Sequence, residues 1–212
     1  MTPIDVHGSS LTTSSWLSSL YVQDQIPPLD VIAVLEAAKI KYVLVGAHGL
    51  GGWTRQPRAT QDVDVIVAAR QVRKAVRALQ EAYPALEAKE FDVVVRLGHA
   101  ETGTFLIDII KPVEKVMRAA LQNRTEARSG KRAYFVPTLE MALTLKFAPM
   151  ISLTRTQAKK HFDVGDFINM IEANSNIDEA KLAELGDLVY NGGGKEIVEK
   201  VGQVRRGEKL FL

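Results

Sequence analysis

Arg58-Ala59-Thr60-Gln61-Asp62-Val63-Asp64-Val65-Ile66-Val67 places two carboxylates two residues apart at the start of an apolar strand. Along a strand, residues i and i+2 leave the same face, so Asp62 and Asp64 point together to one side of a sheet. Like charges held that close repel unless a cation lies between them. A divalent metal is the economical candidate, and two aspartates with open coordination positions suit Mg²⁺ carrying substrate phosphates. A solvated strand edge bearing two acids is the plainer alternative, and the apolar Val63, Val65, Ile66 and Val67 speak against it. Phosphatases and some glycosyltransferases set an Asp-x-Asp after an apolar strand. Here the polar segment from Gln56 to Gln61 comes before the strand, and that order argues against both.

Upstream, Leu29 to Ile40 has helical spacing of apolar residues, with Asp30 in its first turn and Lys39 in its last, as the helix dipole prefers. Tyr42-Val43-Leu44-Val45 reads as a short buried strand ending at Gly46. The glycine-rich run Gly46-Ala47-His48-Gly49-Leu50-Gly51-Gly52 follows. It is not a P-loop, because Gly52 and Trp53 stand where that motif needs Lys and Ser/Thr, and the spacing misses the dinucleotide fingerprint. Most glycine turns only reverse the chain. A helix starting at Ala47 would instead leave backbone N–H groups free to cradle a phosphate.

Downstream, Gln71 to Tyr83 reads as a basic amphipathic helix. Phe91 to Arg96 and Thr104 to Ile110 read as strands, separated by Gly98 and Gly103 and suited to a hairpin. Asp108 lies among Phe105, Leu106, Ile107, Ile109 and Ile110, where an ionised carboxylate is costly unless paired or bound to metal. Asp92 is the alternative acid on the neighbouring strand, with less apolar flanks. Tyr134 to Val136 is a short strand closed by Pro137. Helical patterns then cover Leu139 to Met150, a segment near Lys159 to Glu172, Asp178 to Tyr190, and a tail beyond the glycines at 192 to 194. Lys146 falls on or beside the apolar stripe of its helix, either snorkelling to water or directed at a phosphate. Asp163 and Asp166 share one face of a later helix, as surface acids or as groups that orient Lys146 and bind substrate.

The 212 residues are 46% hydrophobic and 25% charged, near the soluble globular average, which excludes a disordered or fibrous chain. Lys+Arg 27 against Asp+Glu 25 leaves +2, so no overall field points to nucleic acid. Absence of cysteine removes disulfides, thiolate zinc sites and cysteine nucleophiles. The histidines fall at no metal-ligand spacing, and no nucleophile elbow is present. The Ser/Thr-rich start lacks the pattern of a secretory signal and no apolar run reaches membrane-spanning length, so the expectation is a soluble, cytoplasmic protein without membrane contact. The organisation expected is a loose arm over 1–28, a mixed α/β core over 29–136 and a helical region over 137–212.

In this order, Gly46-Ala47, Arg58-x-Thr60-x-Asp62-x-Asp64, Asp108, Lys146 and Asp163-x-x-Asp166 resemble the polymerase-β-type nucleotidyltransferase superfamily. Within it, the chain is most similar to the abortive-infection toxin-like enzymes of bacterial toxin–antitoxin systems. The resemblance covers about residues 29 to 172 and implies an α/β (α+β) fold with a mixed sheet, flanking helices and a helical C-terminal region closing the cleft. It implies that Asp62, Asp64 and Asp108 hold Mg²⁺, or Mn²⁺ in its place. It also implies that Gly46, Ala47, Arg58, Thr60, Lys146, Asp163 and Asp166 serve the nucleotide. The implied reaction moves a nucleoside monophosphate from a nucleoside triphosphate to a hydroxyl of RNA, such as a tRNA end, or of a protein, under control of a cognate antitoxin. Two positions depart from the pattern: Ala47 replaces the second glycine, and Phe162 stands where a lysine is expected, with Lys159 and Lys160 nearby. A non-catalytic binding or antitoxin-like module that keeps the fold is the rival reading. For an RNA acceptor, Arg70, Arg73, Lys74 and Arg77, or Arg205 and Arg206, would supply phosphate contacts.

Overall fold

The computed structural model describes residues 25–54 and 59–210. Most of the expected N-terminal arm and Arg58 therefore lie outside the described residues. Strands β1 (Tyr42–Leu44), β2 (Val63–Val67), β3 (Glu87–Glu90), β4 (Val94–Gly98) and β5 (Phe105–Ile110) form one mixed sheet in the order β1-β2-β5-β4-β3. Only β2 and β5 run parallel; the other neighbours are antiparallel. Apart from Asp64 and Asp108, β2 and β5 are wholly apolar, as expected where both faces are covered.

One face of the sheet carries α1 (Pro28–Ala37) and α3 (Val72–Ala82), which bury Val31, Leu35, Ala75 and Leu79 against Val63, Val65, Ile107 and Ile109. A fully buried aliphatic side chain is worth about 1.5–3 kcal/mol, so this shared core fixes the strand register. A one-residue slip would drive Asp64 and Asp108 into that core and turn the valines to the other side. On the opposite face, Val43, Val45 and Ile66 meet Val116 and Ala120 of α4 (Lys115–Ala120) and Met141 of α5 (Leu139–Ile151). A further core joins α5 to α6 (Gln157–Ala173), α7 (Glu179–Gly186) and α8 (Gly193–Arg205) through Phe147, Phe167, Met170, Leu182, Ile197 and Val201.

The mixed sheet with its helices is the α+β architecture that the sequence pattern predicts. The short α2 (Gly46–Leu50) begins one residue before the expected start. Three elements escape the pattern: β3, α4, and β6 (Arg124–Ser129), which pairs with β7 (Arg132–Pro137) as a separate hairpin. The strand expected over Phe91 to Arg96 starts instead at Val94, because its pairing with β5 begins at Val94 opposite Ile110. The helix expected to reach Tyr190 stops at Gly186, against whose Cα the Gly193–Gly194 backbone packs so closely that a side chain has no room.

Candidate active site

Parallel pairing sets Asp64 of β2 beside Asp108 of β5, and Asp62 lies just ahead of β2 on the same face. One carboxylate oxygen from each of the three lies within 4.8 Å of the others. Asp62 and Asp64 are part-buried, while Asp108 is only 8% exposed. The Thr60 hydroxyl donates to Asp62 Oδ1 and fixes that side chain. Burial pushes the Asp108 pKa above the ordinary carboxylate range, with the Asp62 charge adding to the rise and Arg96 pulling against it. Arg96 of β4, directly across from Asp108, brings Nε to 3.3 Å from Oδ2. That is an ion pair rather than an aligned hydrogen bond: neither Arg96 Nε nor Asp108 Oδ1 has a hydrogen-bond partner among the described residues.

Gly46 presses on this cluster from the end of β1. Its φ is +60°, and a Cβ there would lie 1.9 Å from Asp64 Oδ2. Only glycine fits, on both backbone and steric grounds. The Val45 N–H donates to the Asp64 carbonyl at 2.9 Å, which ties the junction to β2. Gly46 lines the cleft, whereas the Ala47 side chain is buried beneath it at 7% exposure.

The opposite wall comes from α5, α6 and the loop between them, and the cleft has a volume of about 780 Å³. Lys146 of α5 is buried, with Nζ 3.0 Å from Asp163 Oδ1 and 2.7 Å from Asp166 Oδ2. Asp163 Oδ2 also accepts from Arg155 Nε at 2.9 Å and lies 2.7 Å from its Nη2. The spacing of Asp163 and Asp166 thus serves to clamp Lys146, and Asp163 bridges two cations. Phe162 lines the cleft at 62% exposure, as does Lys159, while Lys160 is buried. Asp92, the alternative acid, is exposed ahead of β4.

Arg96 and Arg155 were not signalled by sequence motifs. Arg96 is found only by pairing β4 to β5 in register, and Arg155 only by folding the Ser152–Thr156 loop back over the cleft. The basic side chains of the helix from Val72 belong to α3, on the sheet face opposite the acids. Arg205 pairs with Glu179 at 2.9 Å and Arg206 with Glu208. Neither group lines the cleft.

No family profile and no curated protein matches the chain. Solved structures do. An antigenic nucleotidyltransferase-like protein from Paracoccidioides brasiliensis superposes with a TM-score of 0.53 at 17% identity, over 85% of this chain and 90% of that one. ANT(2")-Ia, in complex with adenylyl-2"-tobramycin, superposes with a TM-score of 0.50 at 14% identity, over 80% of this chain and 94% of that one. The chain has a nucleotidyltransferase-like fold. Identity this low shows the fold alone, and a nucleotidyltransferase-like fold does not by itself fix substrates or a role in a toxin–antitoxin pair. Among the described residues, no helix is long and apolar enough to cross a membrane.

Proposed function

We propose that this chain is a metal-dependent nucleotidyltransferase that moves a nucleoside monophosphate from a nucleoside triphosphate to a hydroxyl of RNA or protein, releasing pyrophosphate. The observation that carries the reading is the convergence of Asp62, Asp64 and Asp108 within 4.8 Å on one wall of the cleft. The donor set fits a hard divalent cation: three carboxylates, one of them buried with Oδ1 lacking any protein donor among the described residues. Asp62, Asp64 and Asp108 would hold Mg²⁺, which supplies charge neutralisation at the transferring phosphate.

The protein groups account for the rest. The turn at Gly46 gives the triphosphate close access to backbone, since no side chain intervenes. Lys146 and Arg155, held by Asp163, set hydrogen-bond donors on the facing wall, with their charge balanced by Asp163 and Asp166. The acceptor oxygen attacks the α-phosphorus in line, the bond from that phosphorus to the β-phosphate bridging oxygen breaks, and pyrophosphate departs. The hydroxyl proton passes to the Asp108 carboxylate.

The resemblance to toxin-like enzymes makes tRNA and cellular protein the acceptors of choice, with an antitoxin as the regulatory partner. The aminoglycoside in the ANT(2")-Ia complex supplies a small-molecule control. Incubation with each α-labelled nucleoside triphosphate, Mg²⁺ and a total cell extract should label a macromolecular acceptor, and Asp64→Ala should abolish the label. Equal labelling by Asp64→Ala, or none by the wild type with any nucleotide, would sink the proposal.

A further inference from the structure

Outside the cleft, the arginines of the described residues are bonded either to carboxylates, as Arg128, Arg132, Arg205 and Arg206 are, or to backbone carbonyls, as Arg118 and Arg124 are. Arg70, Arg73 and Arg77 are the exception: they are exposed and have neither kind of partner among the described residues. With Lys74 they take positions i, i+3, i+4 and i+7 on α3 and the turn that leads into it, one helix face about 10 Å long. Gln71 extends this stripe. Its side chain accepts from the Lys41 N–H at 2.9 Å and donates to the Lys39 carbonyl at 3.1 Å, which holds the exposed Lys39 and Lys41 beside the start of α3. Cations three and four residues apart on a helix repel, and the first turn of α3 has no acid to offset them or to suit the helix dipole. Glu81 is the one acid of the helix, and Glu90, on which Arg73 pulls weakly, is held by Lys111 at 2.7 Å. A local rule broken with no compensation inside the chain points to a partner outside it.

The exposed large hydrophobic residues Phe91, Val93, Val113, Leu153, Phe162 and Tyr190 all lie away from α3 and from the Lys39–Lys41 loop. A protein interface needs apolar or aromatic anchors at its centre, and this face offers none. The apolar side of α3 is packed on the sheet, where Ala75 and Leu79 are fully buried, so the helix cannot lie in a membrane surface. Cations without apolar anchors suit a chain of phosphates. We propose that the exposed face of α3, with Lys39 and Lys41, is a docking surface for the phosphate backbone of RNA. The choice of RNA rests on the proposed transfer to an RNA hydroxyl. Because α3 covers the sheet face away from the acids, at least a helix layer, about 10 Å, separates this surface from the cleft. A nucleoside or another small acceptor cannot occupy both, whereas a folded RNA can. The pairing of Arg205 and Arg206 with acids sets them aside as the alternative basic group.

The test is fluorescence anisotropy of labelled, unfractionated tRNA titrated with the full chain, without nucleotide or Mg²⁺, between about 50 and 200 mM KCl. The triple variant Arg70→Gln/Arg73→Gln/Arg77→Gln should bind at least about tenfold more weakly at the lower salt. Its slope of log affinity against log salt should be shallower by about 2–3, from about 0.7–0.9 for each lost contact. Arg128→Gln/Arg205→Gln/Arg206→Gln, which removes the same net charge, should keep the slope within about one of the wild type. Thermal melting checks folding, and the α3 variant, relieved of repulsion, should melt no lower than the wild type. Arg73→Gln and Arg77→Gln singly, each expected to flatten the slope by about one, decide the matter if the triple variant does not fold. No tRNA binding by the wild type, equal losses in the two triple variants, or an unchanged slope in the α3 variant overturns the proposal. Binding to phosphatidylserine vesicles in place of tRNA overturns it too. Transfer to a protein by a chain that does not bind tRNA overturns this surface alone. Binding of tRNA through α3 by a chain that transfers nothing leaves the surface standing and sinks the reading of the cleft.

Discussion

Replacing Gly46 by alanine separates backbone strain from damage to the acid cluster. Two penalties arise at one position. The residue sits at φ +60°, where a non-glycine residue costs about 1–2 kcal/mol. The new Cβ would also stand 1.9 Å from Asp64 Oδ2 and 2.8 Å from Cγ, so the carboxylate must move, at about 1–3 kcal/mol by analogy with overpacked cores. Gly46→Ala should therefore lose about 2–5 kcal/mol in urea unfolding, or a melting temperature lower by about 2–4 °C per kcal/mol in a chain of this size. In an Asp64→Ala background the carboxylate is gone, and the backbone penalty remains with a residual tight contact, 3.0 Å, to the Cβ at position 64. The double-mutant cycle should then show about 1–3 kcal/mol of coupling. Mn²⁺ affinity should fall in Gly46→Ala because Asp64 no longer points into the cluster. Equal penalties in both backgrounds, or Gly46→Ala with unchanged Mn²⁺ affinity, would refute the claim that Gly46 is reserved for the Asp64 side chain.

Other perturbations test other walls of the cleft. Asp163→Ala leaves Lys146 to Asp166 alone and Arg155 to water; breaking a buried pair of this kind costs about 3–5 kcal/mol, and the remaining Asp166 contact sets the expectation at the lower end, read by urea unfolding. Asp108→Asn tests burial as the cause of the raised pKa. Because the folded pKa lies above the unfolded one, wild-type stability carries a penalty above the folded pKa that is relieved as pH falls towards the unfolded value near 4. Asp108→Asn should be as stable as the wild type or more so at neutral pH, and its advantage should shrink towards pH 4; a constant or widening gap would point to another cause. Thr60→Val removes the donor to Asp62 and should weaken Mn²⁺ binding about tenfold with little change in melting temperature, which calorimetric titration would measure.

The pair Asp62 and Asp64 was legible because a strand alternates faces, and Asp108 because a charge in an apolar strand needs a partner. The clamp of Asp163 and Asp166 on Lys146 follows from helical spacing once α5 and α6 are known to pack together. Polar elements were not legible. β3 (EAKE) and β6 (RTEARS) lack an apolar period and exist because neighbouring strands supply their hydrogen bonds.

By itself the sequence determined which residues had to face one another across a period: acids on one strand face, apolar residues on the other, and a glycine at the end of the preceding strand. These are local consequences of backbone geometry and of the unfavourable burial of charge. Only the tertiary structure decided how far apart those groups stand. The parallel register of β2 and β5 sets Asp64 beside Asp108, the β4 register brings Arg96 to the third acid, and the α5–α6 loop carries Arg155 to the far wall. Such distances depend on pairings between segments remote in the chain, which are selected by burial of the whole core rather than by any residue's own neighbours.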